Sequence, residues 1–408
     1  MPITVYNQKR ECYGCGACMN ICPANALTMV PDEEGFLYPK TEVPLCTGCG
    51  LCRTVCPYHQ DIPPAVREPE IYAIKHRNEA VRSKSTSGGF FTAISDFILK
   101  QGGVVYGAVL GENLKVCHER AQTRQGRNRM CGSKYVQSET GYLYHQVKMD
   151  LSGNRRVLFT GTPCQCAGLA CYLEGIDTKN LILCDIICHG VPSGLLWKEY
   201  KNLVEEKKGR TLKTHQFRTK LNGWHSMTSR NIFLDGSEDF SSCMTQIHMK
   251  LFLSNLILRP CCYSCKYATL IHPCDFTMGD FWGIESSLPE FDDNRGISQV
   301  IVNTAKGEEL FNDIRDRLII RERDSTGCTQ HNLHHPTPCP KNRDTFWQAY
   351  RERGYPYVVR KYAGYHLIGR LLRGLYLLLK ALGLLKYIRR LFRWLRRHIH
   401  ENSNHNLS

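Results

Sequence analysis

Between residue 70 and about residue 350, short apolar runs alternate with stretches whose apolar positions recur at helical spacing, which predicts βα units. Val104–Leu110 is a continuous apolar run and reads as a buried strand. Arg156-Val-Leu-Phe-Thr160 reads as a second strand and leads through Gly161-Thr-Pro into a helical stretch, Gln165–Leu173. Leu181–Ile187 reads as a third and runs directly into Cys188-His189-Gly190. Ser85-Thr-Ser-Gly-Gly-Phe90 precedes an apolar-periodic stretch, Phe91–Leu99, as helix-start residues do. No Gly-x-Gly-x-x-Gly follows any of these strands, so a standard dinucleotide-binding unit is not expected.

The pattern changes beyond residue 350. On a wheel of about 100° per residue, the apolar side chains of Leu367–Leu382, Leu377 excepted, gather on one side, opposite Arg370, Arg373 and Lys380. In Leu384–Ile399 the arrangement inverts: Lys386, Arg389, Arg390, Arg393, Arg396 and Arg397 face one way, and Leu391, Phe392, Trp394 and Leu395 the other. Two amphipathic helices bent near Gly383 are therefore expected. Arg360–Arg397 holds 11 Lys/Arg and no Asp/Glu, so most of the chain's formal charge of +15 sits in this tail. That distribution argues against nucleic acid and for an in-plane anchor on an anionic membrane surface through residues 360–400. No uncharged apolar run reaches 18 residues, so a spanning helix is not expected.

Composition adds one decisive number, 22 cysteines in 408 residues. The opening MPITVYNQKRECYGCG has no apolar core and no small-residue cleavage site, so export is not expected. The expected location is cytoplasmic, peripheral on the inner face of the cell membrane. Unexported cysteine-rich chains point to metal or redox chemistry rather than disulfides. Cys12-Tyr-Gly-Cys15-Gly-Ala-Cys18-Met-Asn-Ile-Cys22-Pro23 is repeated as Cys46-Thr-Gly-Cys49-Gly-Leu-Cys52-Arg-Thr-Val-Cys56-Pro57. This is the two-cluster bacterial ferredoxin spacing, in which the fourth cysteine of each run ligates the other cluster. Cys12, Cys15, Cys18 and Cys56 are then expected to hold one [4Fe-4S] cluster, and Cys22, Cys46, Cys49 and Cys52 the second. A pair of zinc sites is the alternative, since Cys-x-x-Cys also suits zinc.

Outside the repeats, Cys164 and Cys188 each follow a predicted strand, and Cys262 and Cys265 form a Cys-x-x-Cys in Arg-Pro-Cys-Cys-Tyr-Ser-Cys-Lys. If the two strands are parallel neighbours, these cysteines share the carboxyl edge where open α/β sheets bind ligands. Four thiolates there could hold a third cluster; two buried cysteines plus an unrelated pair fit the same spacing. Ser85–Phe90 offers a phosphate-binding helix N-terminus or an ordinary N-cap. Gly132-Ser-Lys-Tyr-Val136 adds a hydroxyl, an ammonium and an aromatic ring.

Taken in order, Ser87-Gly-Gly-Phe90, Gly132-Ser-Lys-Tyr-Val-Gln-Ser138, Gly161-Thr-Pro-Cys-Gln165, Cys188-His-Gly-Val-Pro192, Phe217-Arg-Thr-Lys220 with Gly223-Trp224, Cys262-Tyr-Ser-Cys265 and Gly279-Asp-Phe-Trp-Gly283 resemble the coenzyme F420 hydrogenase/dehydrogenase beta-subunit family over residues 70–345. The resemblance implies an FAD-binding α/β core with its own [4Fe-4S] cluster, at Cys164, Cys188, Cys262 and Cys265. It makes Ser87, Gly88, Gly89, Ser133, Lys134, Tyr135, Gly161 and Thr162 flavin-site candidates. Cys166 and Cys261 depart from the family pattern and compete as ligands. Arg218, Lys220 and Arg230 could bind an acidic substrate such as a deazaflavin with a phosphate-rich tail, or form a solvated basic face.

The expected architecture is an α+β ferredoxin domain (1–62), a linker (63–69), an α/β flavin-binding core (70–350), a C-terminal amphipathic helical tail (351–400) and a disordered end (401–408). The expected function is that of an iron–sulfur flavoprotein oxidoreductase. It would relay electrons between a redox carrier or partner oxidoreductase, three clusters, FAD and a small-molecule substrate, an F420-like deazaflavin or another reducible molecule. The alternative is an electron-transfer subunit or membrane-attached adaptor with no organic substrate of its own.

Overall fold

Glycine shapes the N-terminal unit. Its helices, α1 (Ala17–Ile21) and α2 (Leu51–Thr54), each begin after a left-handed glycine, Gly16 at φ 80° and Gly50 at φ 81°. These are equivalent positions in the two repeats, and a side chain there would be strained. Between the helices, β1 (Leu27–Pro31) and β2 (Leu37–Thr41) pair antiparallel, with Leu27 opposite Thr41. This computed structural model describes residues 4–61, 68–240, 242–323 and 330–365. Most of the expected linker, Cys328, and the tail from residue 366 with its bend near Gly383 and its basic face lie outside the described residues.

The larger unit follows as β3 (Glu70–His76), α3 (Glu79–Lys84), α4 (Phe90–Lys100), β4 (Val104–Leu110), β5 (Val116–Ala121), α5 (Arg124–Asn128), α6 (Leu143–Ser152), β6 (Val157–Gly161), α7 (Pro163–Tyr172), β7 (Leu181–Ile186) and α8 (Gly194–Lys208). Next come β8 (Leu212–Thr219), β9 (Thr228–Phe233), β10 (Glu238–Phe240), α9 (Ile247–Leu253), β11 (Phe276–Asp280), α10 (Ile284–Ser287), β12 (Ser298–Val302), α11 (Ala305–Ile314), β13 (Leu318–Arg323) and α12 (Arg343–Tyr362). Eight strands form one mixed sheet in the order β13-β3-β12-β11-β7-β6-β4-β5. Its centre, β11-β7-β6-β4, is parallel, and the outer pairings are antiparallel. Strands β8, β9 and β10 make a separate antiparallel sheet.

Alternation along the central strands sorts their side chains onto two faces. Val105, Leu158 and Ile182 pack under α4 and α11 with Phe90, Ile94 and Phe311. Val104, Phe159 and Leu183 point the other way, onto α6 and α7. The same cluster takes in Cys15, Ala17, Cys18, Met19 and Leu27, so the N-terminal unit is packed on the α6–α7 layer. Burying both faces explains why these strands are near-continuously apolar.

Helix α12 runs through the expected boundary at residue 350 and buries Phe346, Trp347, Val358 and Val359, with a break at Gly354 just before Pro356. Near its start, Arg343 Nη1 donates to Glu34 Oε1 in the N-terminal unit at 2.9 Å, and Nη2 reaches Oε2. Removing one partner of a buried pair strands the other charge. Glu34→Ala should therefore destabilise the protein by about 3 kcal/mol, read as a lower denaturation midpoint.

Candidate iron–sulfur and flavin site

The two repeats interleave. Cys22, Cys46, Cys49 and Cys52 line one cavity, and Cys12, Cys15, Cys18 and Cys56 a second. Each therefore draws three cysteines from one repeat and the fourth from the other. The thiols of each set sense one another. Burial raises Cys52, and Cys49, Cys22 and Cys46 raise it further. Burial also raises Cys18, with Cys12 and Cys56 adding to it. Exposure separates the sets: Cys49 is exposed, whereas Cys12, Cys15 and Cys18 are buried.

Strands β6 and β7 are parallel neighbours, with Gly161 opposite Asp185. Cys164, in the first turn of α7, and Cys188, two residues past β7, therefore share one carboxyl edge. Cys262 lies in the 3-10 turn Pro260–Ser264 and Cys265 just after it. Burial pushes the Cys188 thiol well above its ordinary range, and Cys262, Cys164 and Cys265 act on it electrostatically in the same direction. Burial likewise pushes Cys265 up to about 12. Val191 N donates to Cys262 Sγ at 3.4 Å, and the Thr162 hydroxyl lies 3.2 Å from Cys164 Sγ.

The two competing cysteines part ways. Cys166 sits further along α7 and faces the sheet, with Sγ 4.0 Å from Cys184 O, away from this group. Cys261 stays close to it, buried with Tyr13, Ala167 and Tyr267. Its side chain hydrogen-bonds Cys262 and holds that thiol below its ordinary range.

The N-terminal set and the strand-edge set meet at α7. A Cβ on Gly168 would lie 2.8 Å from Cys15 Sγ, so the glycine is what lets the cysteine approach. The turn carrying Cys262 reaches back at both ends: Arg259 Nε donates to Cys12 O at 2.8 Å, and Lys266 Nζ to Pro57 O at 2.5 Å. Arg259, Lys266 and Gln137, which donates to Tyr13 O at 2.9 Å, escaped sequence reasoning as functional residues. The one available signal was a pair of cations flanking the Cys-Cys-Tyr-Ser-Cys string.

The flavin candidates fall into two groups. Ser87, Gly88 and Gly89 lead into α4, whose N-terminus has no side-chain cap. Ser87 Oγ donates to Ile297 O at 2.8 Å, and Gly88 N to Ser298 Oγ at 2.9 Å, pinning this loop beside β12. Ser133 N donates to Thr86 Oγ1 at 3.3 Å, bringing Ser133 and Tyr135 alongside, with the Tyr135 ring stacked on Phe252 at 4.8 Å. Lys134 turns its ammonium inward to the carbonyls of Arg129, Met130 and Cys131, and burial lowers it to about 8. Gly161 and Thr162 stand apart at the β6–α7 junction, where Thr162 and Gln165 form a capping box that closes the α7 N-terminus.

The remaining motifs gather around the first group. Lys220 Nζ donates to Ser87 O at 2.7 Å, and to the carbonyls of Arg82 and Arg295. Arg218 pairs with Asp280, which also accepts from Trp224 Nε1 at 2.9 Å, and Trp224 stacks on Trp282 at 5.2 Å. Arg230 instead pairs with Glu238 on the separate sheet.

Alanine in a helix interior ordinarily stabilises relative to glycine by ~1 kcal/mol. At Gly168 the sign should reverse, because the new methyl displaces Cys15 and overpacking costs about 1–3 kcal/mol. Gly168→Ala should melt at a lower temperature than the parent and retain less iron; a higher melting temperature would show that the contact is slack.

Residues 11–60 match the family described as 4Fe-4S dicluster domain. Residues 154–326 match the C terminus of the coenzyme F420 hydrogenase/dehydrogenase beta subunit. No curated protein matches the chain. Among solved structures, a chain in the xenon-derivatised F420-reducing [NiFe] hydrogenase complex from Methanosarcina barkeri is 16% identical, with a TM-score of 0.43 over 64% of this chain and 85% of that one. The chain thus joins a segment similar to the 4Fe-4S dicluster domain to one similar to the C terminus of the coenzyme F420 hydrogenase/dehydrogenase beta subunit.

Proposed function

We propose that this protein is a flavin-dependent oxidoreductase in which three [4Fe-4S] clusters lie in series between an external carrier and FAD. The observation that carries this reading is the succession of three four-cysteine groups, with the second and third in contact through Cys15 and α7. Cys22, Cys46, Cys49 and Cys52 would hold the outer cluster. Cys12, Cys15, Cys18 and Cys56 would hold the inner one, and Cys164, Cys188, Cys262 and Cys265 the third. Val43, Leu45 and Leu51, each exposed, stand around the outer set and give a partner redox protein an apolar footing there. In this assignment Cys261 supports Cys262 by hydrogen bonding, and Cys166 serves the packing of α7.

Bound FAD would supply the exchange between single-electron and hydride chemistry that clusters lack. The uncapped α4 N-terminus, with free N–H groups and a favourable dipole, suits its phosphates better than α7, whose N-terminus is already satisfied. Ser133 and Tyr135 flank that approach. Lys134 and Lys220 shape it by fixing the loops that bear Ser133 and Ser87. Electrons would pass between the flavin and a small molecule, a deazaflavin or another reducible molecule. Among the described residues no helix is long and apolar enough to cross a membrane.

Anaerobically purified protein should contain about 12 iron and one FAD per chain, three four-iron clusters accounting for the metal. A reproducible value near eight would remove the third cluster, and tightly bound zinc would replace the ferredoxin reading. Cys188→Ser should abolish the third cluster's signal while leaving the N-terminal pair, since the sets share no ligand. Simultaneous loss of all clusters from folded protein would count against the assignment.

A further inference from the structure

Arg259 is fully buried. Its guanidinium donates from Nε to Cys12 O at 2.8 Å, from Nη2 to Leu37 O at 2.9 Å and Cys12 Sγ at 3.4 Å, and from Nη1 to Gln137 Oε1 at 3.0 Å. The Tyr38 ring covers it, 4.2 Å from centroid to guanidinium carbon. Its main chain belongs to the other thiol group. Arg259 O accepts from Cys262 N at 2.9 Å, and Arg259 N donates to Val191 O at 3.0 Å, next to the amide that reaches Cys262 Sγ. One residue therefore holds Cys12 with its side chain and Cys262 with its backbone.

A buried cation without a counter-charge is costly. The largest electrostatic influences on Arg259 come from Cys12, Cys261, Tyr38 and Cys262, and its guanidinium hydrogen bonds go to Cys12, Leu37 and Gln137 rather than to a carboxylate. An iron–sulfur cluster held by four thiolates is an anion, and one-electron reduction makes it more negative. Burial away from water disfavours that extra charge, and the inner set is the buried one. Hydrogen bonds to ligand sulfur and nearby positive charge oppose the penalty and raise the potential.

Building on the cluster reading above, we propose that Arg259 is the internal counter-cation of the inner cluster and the positioning residue that couples it to the third. It would make the buried inner centre reducible by the more exposed outer one. Through Cys262 it would also keep the inner and third centres at a fixed separation.

The test is a redox titration of the full-length, cluster-loaded protein followed by EPR, with the inner signal identified by its loss in Cys18→Ser. In Arg259→Gln the inner midpoint should fall by at least about 59 mV, a tenfold less favourable one-electron reduction, while the outer midpoint stays put. Arg259→Lys, which keeps the charge, should recover most of the shift. An unchanged inner midpoint in iron-replete Arg259→Gln overturns the proposal. If that variant loses iron, the unsubstituted chain decides. Labelled with 15N-arginine, its reduced inner centre should show nitrogen coupling in pulsed EPR, and absence of coupling overturns the proposal. Absence of four-iron centres from the unsubstituted chain would instead overturn the cluster reading itself.

Discussion

The cysteine-rich loops satisfy only part of their own backbone. They turn too tightly to join a sheet and too briefly to form long helices, so several carbonyls beside the thiols are left without strand or helix partners. The rest of the chain supplies the missing donors. Arg259 serves Cys12 and Leu37, Gln137 serves Tyr13, Thr140 serves Cys15, and Lys266 serves Pro57. Asn20 runs the other way, donating to Gly141 O at 2.8 Å. Each bond is modest alone, but any buried carbonyl left without one carries a desolvation penalty. Docking of the N-terminal unit on α6 and α7 is thus part of completing its loops, and it brings the inner thiols to the sheet edge.

Much of this arrangement was legible from sequence because it is written in local spacing. The repeated Cys-x2-Cys-x2-Cys-x3-Cys-Pro run and the apolar strands 104–110, 156–160 and 181–187 depend on neighbours in the chain, and β4, β6 and β7 occupy those places. Their parallel pairing sets Cys164 and Cys188 side by side. The antiparallel flanks and the separate sheet β8–β10 left a weaker trace, since their strands carry polar residues at many positions, as in Leu-Lys-Thr-His-Gln-Phe-Arg-Thr.

Other features were beyond local reading for definite reasons. Spacing alone could not separate Cys164 from Cys166, because two residues along a helix turn a side chain to the far face, and only the placement of α7 tells which face meets Cys188. Lys134 looked like a ligand-facing ammonium, yet three carbonyls of its own preceding turn capture it. The donors at the seam come from single residues such as Gln137 and Arg259, more than a hundred positions from the loops they serve. Nothing periodic marks them.

The difference in exposure between the two N-terminal thiol sets also orders their vulnerability. An oxidant diffusing in solution meets Cys49 and its companions before it can reach Cys12, Cys15 or Cys18. The exposed loop therefore takes the first damage, and the thiols packed against α7 are the last to be reached.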